Sequence, residues 1–170
     1  LGLVNGEVML STNKMPPENL AALYNVVDCT INIADAEGFG LATFESLACE
    51  TPIIVTMTGG LQEQVTDGEK WFGIGIEPTS KSVIGSLDVP YIHEDRIDEK
   101  SFVDALVKFY NMTQEEREEL GRLGREHVLA NYSMETFTKQ WDHVLSNVIK
   151  NCGSWETREN YQSWELMEIK

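Results

Sequence analysis

The chain is predicted to form an α/β fold, a doubly wound parallel sheet followed by C-terminal helices, on three observations. Two short runs, Cys29 to Ala34 and Ile53 to Met57, are apolar and rich in β-branched residues, the composition of parallel strands covered on both faces. Stretches with helical spacing of apolar residues separate and follow them. A loop with two glycines, Glu37 to Gly40, joins the first run to a helix start and therefore stands at a strand's carboxyl end, where open α/β sheets bind ligands.

The elements follow in order. Val8 to Thr12 reads as a strand, and Pro16, Pro17 and Glu18 then make a helix start with Leu20, Leu23 and Tyr24 spaced to face a core. After the strand Cys29 to Ala34 and the glycine loop, a helix runs from near Leu41 to about Cys49, and Pro52 opens the strand Ile53 to Met57. These make a βαβαβ unit. Gly59 and Gly60 turn the chain into a short helix from Leu61, the Asp67–Gly68 turn ends it, and Trp71 to Ile76 reads as an edge strand. From Glu77 to about Asp98 periodicity is lost among Pro78, Gly85 and Pro90, which predicts an insertion or a mobile flap. Helices are then expected from Glu99 to Tyr110, from a Thr113 cap to about Ala130, and from a Ser133 cap onward, all covering one sheet face. The domain is expected to span residues 1–150, with 151–170 a helical tail in which Tyr161 and Trp164 share a face and Trp155 lies nearby.

Composition narrows the function classes. In 170 residues, 42% are hydrophobic and 24% charged, which suits a soluble globular domain and excludes disorder. Thirteen basic residues face 28 acidic ones, a net charge of −15, so neither nucleic acid nor an acidic membrane surface is an expected partner. No apolar run approaches the length of a membrane span, and a cytoplasmic location is expected. Cys29, Cys49 and Cys152 show no paired spacing and read as reduced thiols, two of them on elements expected to be buried. His93, His127 and His143 are scattered, so no metal site is expected. The chain opens on Leu1 and soon enters an apparent mid-fold strand, and it is read as a fragment of something longer.

The chemistry concentrates in EGFGLATFE, Glu37 to Glu45. Gly38 and Gly40 allow a close approach to a ligand, and the helix from Leu41 aims unpaired N–H groups and a positive dipole end at whatever lies there, which is a phosphate site. Counting helical rise, the two carboxylates stand on the order of 10 Å apart. That spacing suits hydroxyls on both sides of a diphosphate. The bland alternatives are that Glu37 complements the helix dipole and that Glu45 is a solvated helix residue. Phe44, Leu47 and Ala48 around Glu45 are apolar, however, so a carboxylate there needs partners.

The same residues resemble the donor-binding domain of retaining glycosyltransferases of the GT-B fold, family 4 in particular. The family shows two glutamates with seven residues between, the first followed by Gly-Phe-Gly, and here they are Glu37, Gly38, Phe39, Gly40 and Glu45. The resemblance runs on through SLACETPIIVTMTGGLQEQVTDG and covers roughly Val8 to Asp67, with a weaker echo at NYSMETFTKQW. It implies a Rossmann-like domain in which Glu37 is the catalytic residue holding donor-sugar hydroxyls beside the anomeric carbon. Gly38, Phe39, Gly40, Leu41, Glu45, Gly59 and Gly60 would bind the donor nucleotide, Glu45 taking the ribose. Gly59 and Gly60 read equally well as a plain turn, and Phe39 as a core ring whose backbone N–H matters more.

The resemblance also implies a nucleotide diphosphate sugar as substrate, GDP-mannose at the narrowest, no metal cofactor, and transfer of a hexose with retention to a glycan or lipid acceptor. Two features depart from the pattern. Asp35 stands near where the family has a small hydroxyl residue, and Leu1 to Glu7 lack the upstream Arg and Lys that hold the diphosphate, with Lys14 on the wrong segment. An acceptor-binding N-terminal domain is missing too, so the chain by itself is expected to bind weakly and not to turn over. The rival readings are a non-catalytic nucleotide-sugar binding module and a sugar-nucleotide epimerase of the same fold.

Overall fold

The computed structural model describes residues 5, 6, 8–154 and 156–159, and it divides into two compact units, 1–128 and 129–170. The expectations for Trp155, Tyr161 and Trp164 lie outside the described residues. The first unit is built on a parallel sheet in the order β1-β2-β3, formed by β1 (Thr30–Asn32), β2 (Ile53–Thr56) and β3 (Gly73–Ile76). Helix α1 (Pro17–Tyr24) precedes β1, α2 (Leu41–Ala48) links β1 to β2, and α3 (Leu61–Val65) links β2 to β3. The βαβαβ unit is therefore present, one strand later than the sequence places it.

Burial explains the register. Ile53, Ile54 and Val55 of the central strand are fully buried, at about 1.5 to 3 kcal/mol of hydrophobic stabilisation for each side chain. Ile53 and Val55 face α2, α3 and part of α5 (Gln114–Tyr132) in a cluster with Leu47, Leu61, Val65, Phe72 and Val128. Ile54 faces the other way, with Ile74 and Ile76 against Ala105 and Phe109 of α4 (Glu99–Tyr110). Helices thus cover both faces, as a doubly wound sheet requires. The later helices do not share one face as expected, because alternate β2 side chains each need an apolar cover.

Three further expectations are corrected. Val8 to Thr12 forms no strand, and Val8, Met9 and Leu10 are exposed. An extended run is stable only with a neighbour to pair with, and none of the described strands lies beside it. For the same reason β1 is an edge, with Ile31 and Ile33 exposed instead of doubly covered. On α1 the inward face is Leu20, Ala21 and Tyr24, while Leu23 is exposed. Cys29 and Cys49 are half-buried and Cys152 is exposed, all three being free thiols, and burial pushes the Cys29 thiol up from its ordinary pKa.

The segment expected to be a mobile flap is an antiparallel hairpin, β4 (Ser80–Ile84) with β5 (Ile92–Arg96), paired from Ser80↔Arg96 to Ile84↔Ile92. Its strands mix polar and apolar residues on both faces, so no two-residue alternation announces them in the sequence.

The helix caps behave as local chemistry dictates. The Asp98 carboxylate accepts from Ser101 N at 2.6 Å to start α4. Thr113 and Glu116 form a reciprocal capping box at the start of α5. Ser133 accepts from Thr136 N at 3.1 Å to start α6 (Met134–Cys152). In the second unit α6 contributes no buried residue, and Phe137, Trp141, Val144 and Val148 are exposed. The basic residues of α5 are paired as expected of a solvated face, Arg122 with Glu119 and Glu126, and Arg125 with Glu50.

Candidate functional site

The loop Ala34 to Gly40 leaves the carboxyl end of β1, and the loop Met57 to Gly60 leaves the same end of β2. Parallel pairing of the two strands brings both loops together. Gly60 N donates to Gly38 O at 3.1 Å, and a Cβ on Gly59 would fall 1.7 Å from Glu37 O. Gly60 is also tight, its virtual Cβ lying 2.7 Å from Gly38 O and 2.8 Å from Phe39 Cα. The absence of side chains at 59 and 60 is what lets the loops touch. Their packing role is plain from the structure, and both sit directly behind Glu37 and Gly38.

Glu37 is half-buried and held twice. Gly38 N donates to its Oε1 at 3.0 Å and Asn32 Nδ2 to its Oε2 at 3.3 Å. Asn32 in turn accepts from Ala34 N at 3.1 Å, so one polar side chain ending β1 shapes the loop and steadies the carboxylate. The sequence reading missed this residue, although an Asn inside an apolar strand pattern, just before a glycine loop, is a visible signal.

Gly40 departs from expectation. The sequence reading treats it as ligand-facing, but it is buried, with φ of 87° in the left-handed region, and a Cβ there would meet Leu61 Cδ2 at 2.6 Å and Thr43 Oγ1 at 2.8 Å. Its carbonyl joins a buried polar network. Gln64, 1% exposed, donates from Nε2 to Phe39 O at 2.6 Å and to Gly40 O at 3.2 Å, and accepts from the Thr43 hydroxyl at 2.7 Å. This network ties α3 to the start of α2. Gln64 and Thr43 were not foreseen, because their partners lie more than twenty residues away or across the turn.

At Gly38, by contrast, a Cβ would have nothing within 4 Å. Nearby in the chain, Leu41 is 68% exposed and Phe39 38% exposed, with its ring 5.3 Å from that of Phe44. The Gly40 N-cap supplies no side-chain bond to α2, and the first intrahelical bond there runs from Phe44 N to Gly40 O. The earlier amide N–H groups of α2 thus have no capping side chain, the arrangement that attracts an anion.

Glu45 lies one turn into α2 and is exposed, not enclosed as its apolar neighbours suggest. Of those neighbours Leu47 lies in the core, and Phe44 and Ala48 pack against that cluster. It still has a partner: the hydroxyl of Tyr24, a buried residue, donates to Glu45 Oε2 at 3.1 Å. Burial first, and then the Glu45 carboxylate, push the Tyr24 pKa up to about 12. Beside the pair is an apolar recess of about 250 Å³ lined by Pro17, Leu20, Ala21, Ala48 and Cys49. Among the described residues no cluster of His, Cys, Asp or Glu has the makings of a metal site, and no helix is long and apolar enough to cross a membrane.

A family model described as glycosyl transferases group 1 matches residues 3–127, which contain every one of these features. The chain is 44% identical over 55 residues to a D-inositol 3-phosphate glycosyltransferase of Acidothermus cellulolyticus, a stretch covering 32% of this chain and 12% of that protein. It is 30% identical over 108 residues to the protein of the same description from Paenarthrobacter aurescens, covering 64% of this chain and 21% of that one. Among solved structures, sucrose-phosphate synthase from Thermosynechococcus elongatus shares the fold with a TM-score of 0.56 and 24% identity, over 78% of this chain and 28% of that chain. The chain thus spans a small part of the length of the proteins it matches.

Proposed function

Since the chain belongs to the glycosyl transferases group 1 family, we propose that it is the donor-binding half of a glycosyltransferase that moves a hexose from a nucleotide diphosphate sugar, with retention, to a glycan or lipid acceptor. The observation that carries this reading is the arrangement around α2. One carboxylate, Glu37, is fixed just before the uncapped helix start, and a second, Glu45, is oriented by Tyr24 one turn along it.

In this reading the diphosphate sits at the open space over Gly38, facing the first amides of α2 and the backbone of Phe39 and Leu41. Gly59 and Gly60 act from behind, as the turn that fixes Glu37 and Gly38. Glu37 takes donor-sugar hydroxyls, and the fixed direction of its carboxylate orients the anomeric carbon. Glu45 takes ribose hydroxyls, and the recess beside it receives the nucleoside. Leaving charge builds on the phosphate and is stabilised by helix amides already in place, so little reorganisation is needed as the bond breaks. The leaving phosphate then assists proton removal from the acceptor on the same face, without a protein nucleophile or a metal. An acceptor-binding half and a cytoplasmic location complete the proposal.

The test is a two-dimensional NMR titration of the chain at low ionic strength with UDP, GDP and their hexose conjugates, GDP-mannose included. Amide shifts confined to Gly38, Phe39, Leu41, Glu45 and the Gly59–Gly60 turn are expected. If none of these nucleotides moved those amides at millimolar concentration, the donor-site reading would be wrong.

A further inference from the structure

Three bonds from strand β5 tie the β4–β5 hairpin to both loops of the candidate site. Asp95 N donates to Asp35 O at 2.7 Å. Arg96 Nη1 pairs with Asp35 Oδ2 at 2.5 Å. The hydroxyl of buried Thr58, which directly precedes Gly59 and Gly60, donates to Asp95 Oδ2 at 2.7 Å. One strand therefore bridges the loop that carries Glu37 and the loop that packs behind it, and the two loops close the triangle through Gly60 N and Gly38 O.

The two residues on β5 are themselves held. Lys81, opposite Asp95 on β4, lies 3.5 Å from its carboxylate. Arg96 is gripped by Glu94 and by Ser82 Oγ. Asp35, which departs from the family pattern, thus finds its cation on the segment that the sequence shows only as an insertion.

We propose that β5 is a brace that sets the spacing of the two donor-site loops, with Asp95 and Arg96 as positioning residues for Glu37 and the Gly59–Gly60 turn. This rests on the donor-site reading above. The bonds differ in weight. Arg96 and Asp35 are both more than a third exposed, so screening leaves their pair a small share. Thr58 is buried and Asp95 accepts from its hydroxyl, so this bond outweighs the ion pair.

The experiment is amide hydrogen exchange on the whole chain, wild type against Asp95→Ala, Asp95→Asn, Thr58→Val and Arg96→Ala, followed by nucleoside diphosphate titration of each. Asp95→Ala and Thr58→Val, which remove the same bond from opposite ends, are expected to speed exchange at Gly60 and across Gly38 to Gly40 by about tenfold, while β2 amides keep their rates. Asp95→Asn, which retains an acceptor for Thr58, should stay within about threefold of wild type, and Arg96→Ala should lie between. Apparent nucleotide affinity should fall about fivefold in the first two variants.

Unchanged exchange at Gly60, or an equal rise throughout β2, would overturn the brace. So would faster loop exchange with undiminished nucleotide affinity. Wild-type chain that binds no nucleoside diphosphate would sink the donor-site reading instead, and the exchange rates would still decide whether the brace exists.

Discussion

The loop before α2 has two halves that differ in their surroundings. Around Gly40 a side chain would strike Leu61 and Thr43, and the carbonyls of Phe39 and Gly40 are fixed by Gln64. Around Gly38 there is open space, and the following residues Phe39 and Leu41 are exposed. Two glycines separated by one residue therefore serve opposite ends. The inner one lets the helix start pack on α3, and the outer one leaves room in front of the Glu37 carboxylate. A loop can present a rigid, water-facing set of donors and acceptors only if its rear is built like a core.

That contrast breaks most readily at Gly40. Gly40→Val combines a left-handed φ with overpacking against Leu61 and should cost about 3 to 5 kcal/mol of folding stability. Urea unfolding measures it. A variant as stable as wild type, defective only in nucleotide binding, would move Gly40 to the outer half.

Next in size is a pH effect at the rim of the site. Tyr24 has its pKa raised from 10.0 to about 12 by burial and by Glu45. A folded-state value above the unfolded one gives stability that is whole below pH 10 and is lost as pH rises toward 12, because the unfolded chain releases that proton first. At about 1.4 kcal/mol per pH unit the loss is on the order of 2 to 3 kcal/mol. Tyr24→Phe should remove the late phase of the tyrosinate absorbance titration. A wild-type titration complete by about pH 11, like that of ordinary exposed tyrosines, would mean that Tyr24 is not buried against Glu45.

Glu45→Ala sharpens the division from the ligand side. Losing the acceptor of the Tyr24 hydroxyl should cost folding about 1 kcal/mol, while loss of charge-assisted bonds to ribose should weaken nucleotide binding by about 1.5 kcal/mol, roughly tenfold. Calorimetry with nucleoside diphosphate is the measurement, and equal affinity would remove Glu45 from the site.

The smallest effect is expected at Gly38→Ala. With no atom within 4 Å of the added methyl, stability should shift by less than about 0.5 kcal/mol, and nucleotide affinity should fall about fivefold. Affinity that stayed at the wild-type level would show that the open space is not where the diphosphate lies.

Legibility in the sequence followed the same division. Glu37, Gly38 and Glu45 stood out by their spacing, and the start of α2 at Leu41 was readable from the loop before it. Nothing local distinguished Gly38 from Gly40, since the difference depends on α3, which lies about twenty residues on. Tyr24, Asn32 and Gln64 looked like ordinary helix and strand residues until their partners arrived. Amphipathicity had the same limit: α6 was expected from its Ser133 cap and apolar spacing, and it forms, yet it buries none of its residues.

What the sequence determined by itself is therefore whatever a few consecutive residues decide. The Thr113 and Ser133 caps, the start of α4 at Glu99 and the turn after α3 each rest on interactions spanning about four residues, and each lies where the sequence placed it. The tertiary structure alone decided the rest. Among the described residues Val8 to Thr12 has no strand to pair with and forms none, and β1 is an edge with β2 alone beside it. The hairpin acquires its place through Asp95 to Thr58, 37 residues apart, and Arg96 to Asp35, 61 residues apart. Hydrogen bonds and close packing at such separations depend on where the sheet brings chain segments together, and local propensity carries no trace of that.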